Sequence, residues 1–187
     1  MKRLFVAVKI HPSAEFLKTY NSLKTGLKFS RITWVNPENI HITLKFFGET
    51  EEKWIPDISR VLKDVAARHN SFTCELVNVG IFGSSYSPKV IWFGIDRSEP
   101  LKKLGIDILQ SVEAIGWEPD RQNFVPHLTI GRIKEVPDKH LFQRVIDEHK
   151  KTWMQEIHVQ EFNLYESILQ REGPIYKVLE TYGLNRA

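Results

Sequence analysis

The chain is written twice. A His-x-Thr pair at His41 and Thr43 recurs as His127 and Thr129, 86 positions later. The same offset carries Arg3 to Lys89, Glu75 to Glu161 and Pro88 to Pro174. Any one match is what chance supplies. Their agreement on a single offset, together with a repeated order of apolar segments, indicates a duplicated unit of strand, helix, strand, helix, strand.

In the first copy, residues 4–10 form an apolar run that reads as a buried strand, and Pro12 with Ser13 offers a helix start. Phe16, Leu17, Tyr20, Leu23 and Leu27 recur at helical spacing, which predicts an amphipathic helix over 14–27. Residues 40–47, rich in Ile, Thr and Phe and closed by Gly48, predict a strand; 54–69 predict a second helix with Trp54, Ile58, Val61, Leu62 and Val65 on one face. Strands over 72–79 and 89–95 follow, joined through Gly83-Ser84-Ser85. The second copy gives a helix over 101–115 ending at Gly116, a strand over 127–133 and a helix over 139–150. Strands over 158–165 and 175–182 then flank Gly173-Pro174.

The strand at 89–95 opens the second copy, yet it follows the last strand of the first by one turn. Each antiparallel sheet is therefore able to borrow a strand across the repeat boundary. The expected fold is α+β, with two pseudo-symmetric lobes of antiparallel sheet, helices on the outer faces and an active-site cleft between the lobes. Residues 1–187 are expected to form a single bilobal domain, with repeats of about 1–86 and 87–172 and a C-terminal strand over 173–187.

Charge and cysteine content narrow the function. Twenty-six Lys and Arg against 23 Asp and Glu leave a net charge of +3, which permits an anionic ligand without the basic bias of a protein that coats duplex nucleic acid. Cys74 is the one cysteine, so an intrachain disulfide and a Cys-based zinc site are both excluded, and a reducing, cytoplasmic setting fits best. The apolar run after Arg3 breaks at Lys9, His11 and Pro12, too soon for a signal peptide. No stretch approaches the ~20 apolar residues of a membrane span. A soluble protein is expected. Walker, Rossmann and His-Glu-x-x-His motifs are absent. His11, His69, His140, His149 and His158 fall in turns, helix surfaces or strand starts, and read as structural or solvated.

Side chains two apart on a strand share a face, so His41 with Thr43, and His127 with Thr129, each present an imidazole and a hydroxyl to one side. Ile42, Leu44, Leu128 and Ile130 then face the core. If the lobes face each other, two His and two Thr converge. That set suits phosphodiester chemistry. Histidine titrates near neutral pH, so one member can take a proton while the other gives one. The hydroxyls would hold non-bridging phosphate oxygens. A lone His-x-Thr is usually an ordinary partly buried histidine, but core packing gives no reason to repeat the polar pair. Lys45 keeps the phase of His41 and Thr43 and would reach a phosphate at the edge. Arg132 is out of phase with His127 and reaches the pocket only if the strand twists or bulges after Gly131. Phe82, Tyr86 and Tyr165 lie near the flanking hairpins and read as packing.

Longer stretches carry a resemblance. Arg3-Leu4-Phe5-Val6-Ala7-Val8, the run from Trp34 to Glu49, Pro126-His127-Leu128-Thr129-Ile130-Gly131-Arg132 and Leu164-Tyr165-Glu166-Ser167 resemble the 2H phosphoesterase superfamily. Within it, the likeness is to the RNA 2',3'-cyclic phosphodiesterases, also called 2'-5' RNA ligases. The resemblance implies hydrolysis of a 2',3'-cyclic phosphate to a 2'-phosphate without metal or other cofactor. It also implies His41 as proton donor and His127 as proton acceptor, with ligation into a 2'-5' linkage as the reverse reaction. The expected partner is an RNA with a cyclic phosphate end, such as a tRNA fragment, and the protein is expected to be a monomer. Two alternatives keep the same residues: a relative acting on a small cyclic nucleotide or tRNA-processing intermediate, and a non-catalytic module that binds RNA ends. A closed pocket would favour the small molecule, and a basic groove leading away would favour RNA.

Overall fold

A computed structural model describes residues 1–119, 124–171 and 173–186 of the chain. Glu172 and Ala187, which end the expected second repeat and C-terminal strand, lie outside the described residues. In chain order the elements are β1 (Lys2–Lys9), α1 (Ala14–Gly26), β2 (Arg31–Trp34), β3 (His41–Thr50), α2 (Ile55–Ala66), β4 (Phe72–Gly83) and β5 (Pro88–Asp96). They continue with α3 (Glu99–Glu113), β6 (His127–Glu135), α4 (Lys139–Glu148), β7 (Trp153–Val159), β8 (Glu161–Gln170) and β9 (Gly173–Gly183). The strands form two sheets, ordered β3-β1-β8-β9 and β2-β6-β5-β4-β7, with every paired neighbour antiparallel. The α+β class expected from the sequence is the one found.

Strands and helices are traded between the halves. β4 pairs with β5, while β8 returns to β1 and carries β9 on its outer side. α3 packs against β3 and α2 against β9, whereas α1 reaches β7 and α4 reaches β4. The trade is enforced by burial. Each helix hides one apolar face: Phe16, Tyr20 and Leu23 on α1, Ile58, Leu62 and Val65 on α2, Leu101, Leu104 and Ile108 on α3, Phe142, Val145 and Ile146 on α4. With Val6, Ile42, Phe93 and Leu128 from the strands, they form one continuous core. Burying each such side chain stabilises the fold by roughly 1.5–3 kcal/mol.

The sequence pattern misses two strands. β2 has only four residues and pairs on one side, with β6, so its signal is too short to stand out. β7 is hidden because its alternation runs on into β8. The single strand expected over 158–165 is in fact two, broken at Gln160, where the chain leaves one sheet for the other. β7 also anchors the start of α1. The Gln155 side chain accepts from Ser13 N at 2.8 Å and donates to His11 O at 3.1 Å, while Ser13 Oγ caps the helix by accepting from Phe16 N.

A polar clamp ties α2 to α3. Asp107 accepts from Arg68 through both carboxylate oxygens, from His69 Nε2 at 2.9 Å and from Ser111 Oγ at 3.1 Å. Burial would raise the Asp107 carboxyl, but the bonds from Arg68, His69 and Ser111 outweigh it and hold it below the ordinary range. Asp107→Asn is expected to lower stability by ~1–3 kcal/mol in urea unfolding. A carboxylate depressed in the folded state contributes fully above its unfolded pKa and loses that contribution as pH falls through the folded value. The gap between wild type and variant should therefore close on acidification below about pH 4.

Candidate active site

Strict alternation would keep Lys45 with His41 and Thr43, and would turn Arg132 away from His127 and Thr129. The structure reverses both. β3 pairs with β1 as Lys9↔His41, Val8↔Ile42 and Ala7↔Thr43, then jumps to Val6↔Lys45 and Phe5↔Phe46. β6 pairs with β5 as Gly94↔His127, Phe93↔Leu128 and Trp92↔Thr129, then jumps to Ile91↔Gly131 and Val90↔Arg132. Each jump is a β-bulge with one extra residue, Leu44 in β3 and Ile130 in β6, and past each the side chains change face. Lys45 consequently sits opposite the core residue Val6 and is only 3% exposed. Its expected phase is corrected: it borders the cleft from the core side. Phe46 takes the cleft-facing place instead. In β6 the same shift brings Arg132 into line with His127 and Thr129, the movement the sequence reading required of it.

The histidines are held alike. His41 Nδ1 lies 2.6 Å from Asn39 O, and His127 Nδ1 lies 2.8 Å from Val125 O. A carbonyl can only accept, so Nδ1–H donates in both rings, and Nε2 is left as the nitrogen available to a ligand. The preceding residues build these carbonyls. Asn36 caps a single 3₁₀ turn over Pro37–Asn39 by accepting from Glu38 N, and Asn39 Nδ2 donates to Pro174 O on β9 at 3.0 Å. Before His127, Pro126 disfavours a helical conformation at Val125. The Trp34-to-Glu49 block thus contains the holder of its histidine as well as the histidine.

All six sequence-predicted residues line one cavity of about 530 Å³: His41, Thr43, Lys45, His127, Thr129 and Arg132. Aromatic rings complete it. Tyr176 meets the His41 ring edge-on at 5.1 Å, and Phe82 meets the His127 ring edge-on at 4.7 Å. Behind Phe82, the Trp92 ring lies so close over Gly80 that a Cβ there would be 2.2 Å away. Tyr176 was missed because nothing in the β9 pattern separates it from neighbouring apolar residues. Phe82, read from the sequence as packing, forms wall as well. Tyr165 stacks on Phe5 at 5.0 Å beneath Tyr176, and Tyr86 is exposed beyond the cavity wall.

Burial lowers the His41 pKa, and the Lys9 and Arg132 charges lower it further; the bond to Asn39 O opposes them without cancelling them. These effects favour the neutral form of His41 in the free protein. Two of the other histidines make structural bonds: His69 joins the Asp107 clamp, and His149 bridges Val145 O and Ser22 Oγ, while His11, His140 and His158 are exposed. Among the described residues, no three His, Cys, Asp or Glu side chains gather as a metal site would require. No described helix is long and apolar enough to cross a membrane.

Two sheets that each present a His-x-Thr strand to a shared cavity define the two-histidine class anticipated from the sequence. The chain belongs to the 2'-5' RNA ligase superfamily, whose family model matches residues 26–168. It is 33% identical over 177 residues to the RNA 2',3'-cyclic phosphodiesterase of Thermotoga maritima, covering 95% of this chain and 92% of that one. It is 34% identical over 184 residues to the Archaeoglobus fulgidus protein of the same name, covering 96% and 99%. Among solved structures, TT0787 of Thermus thermophilus superimposes with a TM-score of 0.78 at 26% identity, covering 98% of both chains. E. coli LigT complexed with 3'-AMP superimposes at 0.76 with 22% identity and 99% coverage of both, a likeness of fold.

In ¹⁵N-detected imidazole spectra at neutral pH, His41 should show the Nδ1–H tautomer and titrate below its ordinary value of about 6.5. Because the folded state resists protonation there, the stability tied to His41 is constant at higher pH and declines as pH falls through the unfolded value. A midpoint at or above 6.5 would contradict the buried setting.

Proposed function

We propose that the protein hydrolyses RNA 2',3'-cyclic phosphate ends to 2'-phosphomonoesters, with His41 and His127 as an acid–base pair. The observation that carries this reading is the matched tether: two imidazoles on facing strands, each anchored at Nδ1 and each with Nε2 unbonded among the described residues, beside the same cavity. A neutral ring so held accepts a proton at Nε2, and a charged one donates from the same atom, so one geometry serves both halves of a hydrolysis. Similarity to proteins named RNA 2',3'-cyclic phosphodiesterase supplies the substrate class.

In this mechanism His127 takes a proton from water as its oxygen attacks phosphorus. The bond from phosphorus to the ribose 3'-oxygen breaks, and His41 protonates that oxygen. A 2'-phosphate and a 3'-hydroxyl result. Thr43 and Thr129 donate to the non-bridging oxygens, and Arg132 offers its planar fork to the same group. Lys45 adds positive charge from the core-side wall. The two proton transfers call for no metal or other cofactor. With a 5'-hydroxyl in place of water as the nucleophile, the same residues form a 2'-5' linkage and free the 3'-hydroxyl; the reverse step opens that linkage and restores the cyclic phosphate. The lowered pKa of His41 in the free protein favours a second reading in which His41 is the base. The bound phosphate anion acts the other way, since a negative charge beside the ring favours its protonated form.

The same proposal takes RNA ends, tRNA fragments among them, as partners of a monomer in the cytoplasm. The lone Cys74 suits that compartment; it is buried, and burial pushes its thiol up to about 11, which leaves it unreactive. It also takes the chain as one bilobal domain built from an internal repeat, a reading supported by bulges at Leu44 and Ile130, which share the 86-residue offset of the motifs.

A short RNA ending in a 2',3'-cyclic phosphate, incubated in EDTA and followed by phosphorus NMR, should give the 2'-phosphate. His41→Ala and His127→Ala should each lose roughly 10²–10⁴-fold in kcat. Replacing the 3'-oxygen of the substrate with sulfur removes the need for an acid. Sulfur should therefore rescue His41→Ala and leave His127→Ala impaired; rescue of His127→Ala alone would exchange the two roles. Full activity in both variants would refute the mechanism.

A further inference from the structure

We infer that a second cavity, next to the first, is a stacking site for the nucleotide preceding the cyclic phosphate end, so that the protein engages a single-stranded RNA rather than a lone nucleotide. This rests on the function proposed above and extends it to the body of the substrate. The second cavity, of about 590 Å³, is walled by Phe46, Phe47, Trp54 and Trp117, and it shares Lys45 and Phe46 with the first. A chain leaving one cavity therefore enters the other across Phe46, which the Leu44 bulge has turned to the cleft.

The rings are placed by the backbone. Gly116, with φ at +102°, stops α3 in the left-handed region that glycine tolerates. Trp117 N then donates to Val112 O and Gly116 N to Glu113 O, a paired closure that fixes where Trp117 stands. Trp54 ends a 3₁₀ turn before α2, with its N–H on Glu51 O. Phe47 and Trp54 each meet Trp117 at 87°, at centroid distances of 5.2 and 5.8 Å. Edge-on rings hold one another upright. Trp54 is 37% exposed and Phe46 55%, a large aromatic area for a surface unless something covers it.

The occupant follows from chemistry and continuity. A base carries a π-face whatever its identity, so aromatic platforms bind single strands without selecting sequence. Lys45 closes the wall that the two cavities share, and Lys53, paired with Glu51 at 2.9 Å, lies 5.9 Å from the Trp54 ring. Glu118 on the rim argues against an acidic protein partner and is tolerable beside an uncharged base.

Trp54 is outside the core cluster, so Trp54→Ala is expected to fold. Two substrates separate the cavities: adenosine 2',3'-cyclic phosphate, which fills only the first, and an RNA trinucleotide ending in the same group. Trp54→Ala should lower kcat/KM for the trinucleotide roughly tenfold, with the mononucleotide value held to within about twofold, and Trp54→Phe should restore most of the loss. Equal losses on both substrates, or none, would overturn the stacking site and leave the hydrolase reading standing. If the wild type cleaves neither substrate, the hydrolase reading falls. The site is then judged by binding of a trinucleotide with a 3'-hydroxyl, followed by tryptophan fluorescence. Weakening of roughly tenfold in Trp54→Ala supports it; no binding, or undiminished binding, overturns it.

Discussion

Side chains along a strand alternate with a period of two, so one extra residue changes the face of everything beyond it. Leu44 and Ile130 are such residues, and much of the site depends on them. Before each bulge, a histidine and a threonine face the cleft. After it, β6 presents Arg132 and β3 presents Phe46, while Lys45 turns toward the core. Without the bulges Arg132 would point away from the histidine it accompanies, and the two cavities would lose the ring that divides them. A bulge sacrifices ladder pairing locally. It persists here because it lets one strand serve core and cleft along its length.

The imidazoles are anchored as firmly as the strands. Each donates Nδ1–H to a carbonyl two residues upstream, one supplied by a 3₁₀ turn and the other by a residue before proline. Tautomer and ring orientation are thus decided before any ligand arrives, which spares the site reorganisation when charge develops. Different local solutions reach the same end, and at His41 burial and the charges of Lys9 and Arg132 lower the pKa as well.

The exchange of elements between the halves matches the site in importance. β4 lies with β5 and β6, β8 with β1, and the helices cross over in the same way. A sheet completed by the other half's strand cannot drift from it without losing both pairing and core. The cleft between the histidine strands is therefore set by the core, and loops contribute mainly its rim.

Much of this was legible in the sequence. The α+β class, the four helices and the strands that carry His41 and His127 follow from apolar periodicity and one repeated offset, because those signals are local and strong. The rest was decided by tertiary structure. β2 was too short to signal, and β7 was concealed because its alternation continues into β8 across Gln160, although the two strands belong to different sheets. Lys45 was misplaced because alternation is a local rule, whereas a bulge is a property of a pairing. Tyr176 and Phe82 reached the cavity from hairpins whose sequences carry no mark of it. The sequence by itself determined which chemical groups the protein owns and which strands carry them. Only the packing of one sheet against the other decided which of those groups meet, since that depends on register and burial between residues far apart in the chain.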